Sequence, residues 1–260
     1  MRRITLTTTT ALLLMFAASA HAQDTTISGG LTPNTPGAGA AVHIDVSGLA
    51  PEIAGSLPDS VALGLQRGFK LDVRSVATRC TGTAQASGMC PPASRIGSGH
   101  AVVSTSGFLN QDIPATIDVF LGDPVQAGDL ASAVVVFGAI GATRVVRTRL
   151  LAPATGPVGY ELRVDGIAAA VPAVPGVRFG LRSLSLDLGA QRKVTKITHK
   201  RVRVTRHGHR VTVRRKIKKR VTYNLLTNPK TCTVAWGVRL TVRVAGADRV
   251  RDIGVPCAPA

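Results

Sequence analysis

The chain has 260 residues, and its 32 Lys and Arg outnumber its 14 Asp and Glu to give a formal net charge of +18 at neutral pH. A hydrophobic fraction of 45% excludes an intrinsically disordered chain, while 27 Gly and 15 Pro argue against a helical bundle. One Trp, two Tyr and six Phe leave few rings for stacking on bases or sugars, so the core must be built mainly from Val, Leu, Ile and Ala.

Residues 1–22 have the features of an export signal. Two arginines at positions 2 and 3 precede an apolar segment at 11–18, which is too short to span a bilayer. Ala-His-Ala at 20–22 fits the small-x-small rule for signal cleavage. We therefore expect cleavage after Ala22 and a secreted or cell-envelope location. The following segment, 23–40, is rich in Gly, Pro and Thr and predicts a flexible lead-in.

Strand-forming segments recur at short intervals from residue 41 to the C-terminus. Val42, Ile44 and Val46 alternate with polar residues, as in a strand with one buried face. The nearly unbroken apolar segment 132–140 is typical of a strand buried on both faces. Further strands are predicted at 61–73 with an interruption at Gly68, and at 99–105, 113–121, 144–151, 158–164, 177–188 and 234–244. Because no capped segment has a 3.6-residue period, the sequence predicts an all-β antiparallel β-sandwich over 41–260.

Four cysteines predict two disulfides in this exported chain. Cys80, Cys90, Cys232 and Cys257 allow three pairings, of which the local one, Cys80–Cys90 with Cys232–Cys257, is the most economical. On the chain-entropy model these loops would stabilise the fold by about 3 and about 3.5 kcal/mol. The CxxC spacing of a zinc site is absent. Trp236 lies between the last two cysteines and is expected to pack on their disulfide.

The segment 192–223 predicts one long β-hairpin. A two-residue turn at His207-Gly208 would pair residues whose numbers sum to 415. That register places three valine pairs on one face, namely Val204 with Val211, Val202 with Val213, and Val194 with Val221.

The same hairpin carries most of the net charge. Between Arg192 and Arg220 there are 14 Lys or Arg and no acid, whereas the remaining chain has 18 cations against 14 acids. One interpretation is a solvated arm whose charge prevents edge-to-edge aggregation. The other is a docking site for a polyanion. The polyanion-binding residues would be Lys200, Arg201, Arg203, Arg206, Arg210, Arg214 and Arg215.

Two local patterns resemble a known group of proteins. The first is Cys80-x9-Cys90-Pro91-x2-Ser94-Arg95-Ile96-Gly97-x-Gly99. The second is Leu226-Thr227-Asn228-Pro229-x2-Cys232-x3-Trp236, closed by Pro256-Cys257. Together they resemble uncharacterised exported all-β proteins of high-GC actinobacteria, from about residue 51 to the C-terminus. The resemblance implies an architecture but no activity, and the basic hairpin looks like an elaboration between the two patterns.

Signals for catalysis or metal binding are weak. GxSxG, P-loop, GxGxxG and HExxH patterns are all absent. His43 with Asp45, or His100 near Ser98 and Ser104, would supply a Ser-His-Asp arrangement only by chance. His207 and His209 at the hairpin tip would bind a metal ion weakly, against repulsion from nearby cations. The densest acidic group, a candidate for calcium or for paired catalytic carboxylates, is Asp112, Asp118, Asp123 and Asp129. We expect no catalytic residue, no cofactor and no metal.

These observations favour an exported, non-catalytic, envelope-associated or structural binding protein whose basic hairpin contacts an anionic polymer, such as an acidic cell-wall polymer. Sequence-specific nucleic-acid binding is disfavoured, since Tyr223 is the only aromatic residue near the cations. One alternative is an extracellular hydrolase that depends on His43 or His100. Another is a protein–protein module that pairs through the hairpin edge.

Overall fold

The structure is a computed structural model that describes residues 26–47, 58–107, 110–139, 142–153, 155–167, 177–206, 209–244 and 246–258. The predicted export signal at 1–22 and the predicted turn at His207-Gly208 lie outside the described residues.

Antiparallel β-strands make up most of the described chain. They are β1 (Thr26–Thr32), β2 (Gly39–Ser47), β3 (Ser60–Gln66), β4 (Lys70–Leu71), β5 (Arg95–Gly107), β6 (Asp112–Gly122), β7 (Ala131–Ala139), β8 (Ala142–Leu151), β9 (Val158–Asp165), β10 (Val177–Leu188), β11 (Gln191–Arg206), β12 (His209–Asn224), β13 (Leu226–Thr227), β14 (Ala235–Val244) and β15 (Ala247–Pro256). One short helix, α1 (Gly82–Ser87), and 3-10 turns at Val73–Ser75 and Pro92–Ser94 complete the elements.

The strands form two sheets. The large sheet has the order β15-β14-β3-β9-β8-β7-β6-β5-β10-β2-β13-β4, and β1 is also paired with β2. The small sheet consists of β11 and β12. Strands β2 and β14 are far apart in this order, yet Val42 and Ile44 share a buried cluster with Val238 and Leu240. The large sheet therefore folds over so that its inner faces meet, and the predicted sandwich-like all-β architecture is confirmed.

The core is built from apolar residues that alternate with polar residues along the strands, as predicted. Val42, Ile44 and Val46 are buried, and they alternate with His43 and Asp45 on the outer face of β2. The start of β7 is buried on both faces, because the segment containing α1 covers its outer side.

Both predicted disulfides are present. Cys80 and Cys90 are joined with their Cα atoms 5.1 Å apart, and Cys232 and Cys257 with theirs 6.4 Å apart. Helix α1 lies inside the first loop and was not predicted, because its six residues are too few to show a helical period.

Trp236 anchors the second cysteine loop in the core. Its side chain is 1% exposed and lies in the cluster against which Cys232 and Cys257 pack. The indole Nε1 donates a hydrogen bond to the Thr231 carbonyl at 3.0 Å, and the ring meets Phe69 edge-on at 5.9 Å. The expected association of Trp236 with this loop is therefore present.

Two sequence-based expectations about the ends of the domain were wrong. The lead-in predicted to be flexible contains β1, which pairs with β2 along its whole length and buries Leu31. Strand β15 was not predicted because it is mostly exposed and pairs only with β14, so its sequence lacks an apolar alternation. No helix in the described part of the chain has the length and apolar character needed to cross a membrane.

Candidate functional site: the basic arm

Strands β11 and β12 form a separate hairpin, here called the arm (Gln191–Asn224). Paired residues have numbers that sum to 415, as in Val202 opposite Val213, which is the register expected from the valine pairs. Within the described structure each of the two strands pairs only with the other, so both outer edges are free. The side chains of Arg206, His209 and Val211 lie outside the described part of the arm.

The arm is inserted between two strands that pair with neighbouring stretches of β2. Leu188 of β10 lies opposite Val42, and Leu226 of β13 lies opposite Ala40. The Leu225 N–H donates to the Ala190 carbonyl at 2.8 Å and closes the base of the insertion.

Tyr223 connects the base of the arm to the rest of the described structure, here called the body, which consists of the large sheet and its loops. The Arg74 guanidinium lies 5.3 Å from the ring centroid of Tyr223, and Nζ of Lys196 lies 5.5 Å from it, both within cation–π range. Arg74 is held by Asp72 at 2.8 Å. The ring of Tyr223 is therefore occupied by the chain's own cations rather than presented for stacking.

On one face of the arm, here called the charged face, each pair of opposed residues, or rung, contains a cation. This holds for seven successive rungs, from Lys193–Thr222 to Thr205–Arg210. Because side chains alternate across a strand, the residues of this face follow from the register. Its cations are Lys193, Arg201, Arg203, Arg210, Arg214, Lys216, Lys218 and Arg220. Ile197 is the only large apolar residue at the positions of this face, so the face forms a continuous cationic strip.

The opposite face, the valine face, has a different pattern. Paired cations on the rungs Lys196–Lys219 and Lys200–Arg215 are separated by rungs without charge. The apolar residues at these positions are Val194, Val202, Val204, Val211, Val213, Ile217 and Val221. Charge and apolar surface are thus interleaved on this face.

The register divides the predicted polyanion-binding residues between the two faces. Four of them share the charged face, and the other three fall on the valine face. The first group is Arg201, Arg203, Arg210 and Arg214, and the second is Lys200, Arg206 and Arg215. The sequence-based prediction did not include Lys216, Lys218 and Arg220, which extend the charged face toward the body and were detectable from the same register.

The described cations of the arm form no ion pair with a carboxylate in the described part of the chain. Arg201 lies opposite Arg214, and Lys200 opposite Arg215, where like charges destabilise a ladder unless solvent or an anion separates them. Elsewhere in the described part of the chain at least eight arginines form ion pairs with Asp or Glu. None of the ion pairs among the described residues includes an arm side chain. Unneutralised charge is therefore concentrated on the arm.

His43 forms a different polar site on the outer face of the large sheet. Its Nδ1 lies 2.6 Å from Asp187 Oδ1 and its Nε2 lies 2.6 Å from Asp45 Oδ2. Hydrogen bonds to Asp187 and then to Asp45 raise the pKa of His43, while a hydrogen bond from Ser185 chiefly lowers the pKa of Asp45. Both ring nitrogens meet carboxylates, and the serine hydroxyl meets Asp45, so His43 is not placed to activate a serine.

The second histidine considered for catalysis, His100, is exposed on β5. It lies opposite Ser185 on one side and Thr116 on the other. The hydroxyl of Ser104 donates instead to the Gly180 carbonyl at 3.3 Å. The structure does not assemble His100 and Ser104 into a catalytic pair.

The four aspartates proposed as a calcium or carboxylate site are held separately. Each forms an ion pair with a different arginine, in the pairs Asp112–Arg182, Asp118–Arg95, Asp123–Arg79 and Asp129–Arg149. The described residues contain no group of three or more His, Cys, Asp or Glu able to hold a metal ion. These carboxylates act as partners for arginine on the body surface and in its loops.

The interior holds a small apolar cavity of about 70 Å³, lined by residues that include Val42, Leu65, Leu121 and Leu150. That is roughly half of the ~150 Å³ that accommodates benzene in an engineered apolar cavity. Apart from Tyr160, the residues that line it are aliphatic, so the cavity does not bring several polar groups together and the arm remains the main candidate site.

Comparisons with family models, with curated proteins and with solved structures find no match to this chain.

Proposed function

We propose that the protein is exported, with cleavage after Ala22, and acts as a non-catalytic envelope-associated binding protein whose arm contacts an anionic polymer. The observation that supports this proposal best is the charged face, on which seven successive rungs carry cations and no acid lies between Arg192 and Arg220.

The spacing of these cations favours a polymer over a single small anion. Side chains on one face of a strand repeat about every 6.8 Å, which is shorter than the ~8 Å Debye length at physiological ionic strength. Neighbouring cations therefore repel one another and concentrate counterions. A chain of closely spaced phosphates or carboxylates replaces those counterions and gains the entropy of their release. Binding of this type is independent of sequence and weakens steeply with added salt.

Purified cell walls of a bacterium rich in anionic wall polymer provide the test, with the mature protein co-sedimented across a salt series. The control variant has residues 191–224 replaced by Asn-Gly, because Ala190 and Leu225 already hold the hydrogen bond that flanks a two-residue turn. Wild type is expected to bind at low salt and dissociate at high salt, and the variant is expected to remain in solution. Equal binding of the two proteins, or binding insensitive to salt, contradicts the proposal.

A protein–protein role has one observation in its favour. Both edges of the arm are unpaired in the described structure, and an extended chain can add to such an edge through backbone hydrogen bonds. An acidic extended peptide fits the surrounding charge. A stoichiometric complex that excess polyphosphate does not displace would favour this role over polymer binding.

A further inference from the structure

The valine face presents partly exposed apolar side chains on the side of the arm opposite the charged face. Ile217 is 42% exposed, and Val194, Val202, Val213 and Val221 are only half-buried against their neighbours. Outside the arm, the main described neighbour of β12 is the 3-10 turn Val73–Ser75, which lies at the base of the arm. The apolar residues of this face are therefore partly exposed, and an isolated two-stranded hairpin is only marginally stable in water.

The cations of the valine face restrict what can cover it. A second arm placed face to face would bury the pairs Lys196–Lys219 and Lys200–Arg215 of both copies in one interface, with no acid in either segment to neutralise them. A purely apolar protein surface would bury these cations without counterions, which is strongly unfavourable because the lost hydration is not replaced. The covering surface must therefore offer apolar contact and negative charge in alternation.

An anionic lipid bilayer offers that combination in its interfacial layer. Short β-branched side chains enter the boundary between headgroups and acyl chains, while the longer Lys and Arg stems extend outward and place their charges at the phosphates. Each cation held near such a surface adds to the attraction. The rungs of the valine face supply both kinds of group along the strand direction.

We propose that the valine face of the arm lies on the surface of an anionic bilayer, with Val202, Val213 and Ile217 at the acyl boundary and Lys200 and Arg215 at the phosphates. This contact is independent of the polymer-binding proposal, because the charged face points away from the bilayer. An arm bound in this way presents its cationic strip to the polymer.

The test measures binding of the mature protein to phosphatidylcholine vesicles with and without phosphatidylglycerol, and in parallel to polyphosphate. The first variant, V202T/V213T/I217T, keeps β-branched side chains and the charge but removes apolar contact. It is expected to weaken binding to anionic vesicles at least about tenfold, since buried aliphatic side chains dominate such contacts. Its polyphosphate affinity is expected to stay within about twofold of wild type. The matched variant R201Q/R214Q, on the charged face, is expected to show the opposite selectivity.

A second variant guards against loss of arm structure in the first. V202I/V213I retains strand propensity and adds one methylene to each side chain, so binding to anionic vesicles should strengthen about five- to tenfold. Unchanged vesicle binding in both valine-face variants, or equal binding to vesicles without phosphatidylglycerol, overturns the inference. Wild type that binds polyphosphate but not anionic vesicles overturns this inference alone. Failure to bind either one overturns both proposals.

Discussion

The body and the arm of this molecule treat charge in opposite ways. In the described part of the body at least eight arginines are paired with carboxylates, and two disulfides close the loops around a buried core. In the arm 14 cations lie between Arg192 and Arg220 without one acid, and its two strands pair only with each other in the described structure. Substitutions in the body should therefore change stability without changing polyanion binding, and substitutions in the arm should do the reverse.

Trp236→Ala is expected to show the largest difference between an effect on stability and an effect on polyphosphate binding. The indole is 1% exposed and fills the core beside the second cysteine loop, so its loss should reduce the free energy of unfolding by about 3–5 kcal/mol. Polyphosphate affinity at a temperature where the variant stays folded should equal that of wild type. Chemical denaturation with a parallel binding titration measures both quantities. A loss of affinity in the folded variant would show that the arm depends on the core.

Arg149→Gln should produce the next largest effect. It leaves the Asp129 carboxylate, whose side chain is fully buried, without its guanidinium partner, and we expect the free energy of unfolding at neutral pH to fall. The hydrogen bond from Arg149 is the main cause that lowers the pKa of Asp129. A lowered folded-state pKa stabilises the fold above the unfolded pKa of about 4, and that stabilisation is lost as the pH falls through the folded value.

The stability difference between wild type and Arg149→Gln should therefore shrink at acidic pH. Denaturation curves at neutral pH and at a pH well below 4 test this expectation. A constant difference across that range would show that Arg149 acts by packing rather than by its charge.

Two matched double variants compare the faces of the arm. R201Q/R214Q removes an opposed pair from the charged face, and K200Q/R215Q removes the neighbouring pair from the valine face. Polyphosphate affinity at low salt should fall several-fold more in the first than in the second, because the first interrupts the continuous strip. The slope of log affinity against log salt should become shallower by about 2 for contacts that are lost. Equal losses would mean that the polymer surrounds the arm.

The smallest effect is expected at His43. Two carboxylates favour its protonated form, so its pKa in the folded protein should exceed the ordinary value of about 6.5. Since the Asp187 hydrogen bond is the larger cause, Asp187→Asn should lower the pKa of His43 more than Asp45→Asn does. NMR titration of the imidazole signals measures both.

The raised pKa of His43 also fixes the sign of its effect on stability. Its contribution is fully present below about pH 6.5 and is lost as the pH rises through the folded value. Screening keeps this contribution small, because the side chain is 43% exposed. Unfolding free energies of wild type and His43→Gln should therefore differ most on the acid side of neutrality, and a larger difference at alkaline pH would contradict the assignment.

Sequence reasoning was most successful where a local rule determined a long-range pairing. Three opposed valine pairs were sufficient to give the arm its register, and the short loops between cysteines gave both disulfides. It failed where pairing depends on strands distant in the chain. Asp187 was not singled out as a partner of His43, because the two residues meet only when β10 lies antiparallel to β2. Strand β15 was missed because an exposed edge strand needs little apolar alternation.

The insertion point of the arm determines how a mechanical load would enter the body. Both chain segments at its base, β10 and β13, pair with β2, and β2 is also paired along its other edge with β1. Tension on a tethered arm is therefore carried into β2 through ladders on a single strand rather than through one loop. Sixteen residues in each arm strand give a lever of roughly 50 Å, so thermal movement of the body would be transmitted as torque at this strand. The aligned ladders of β2 would share that load among many hydrogen bonds.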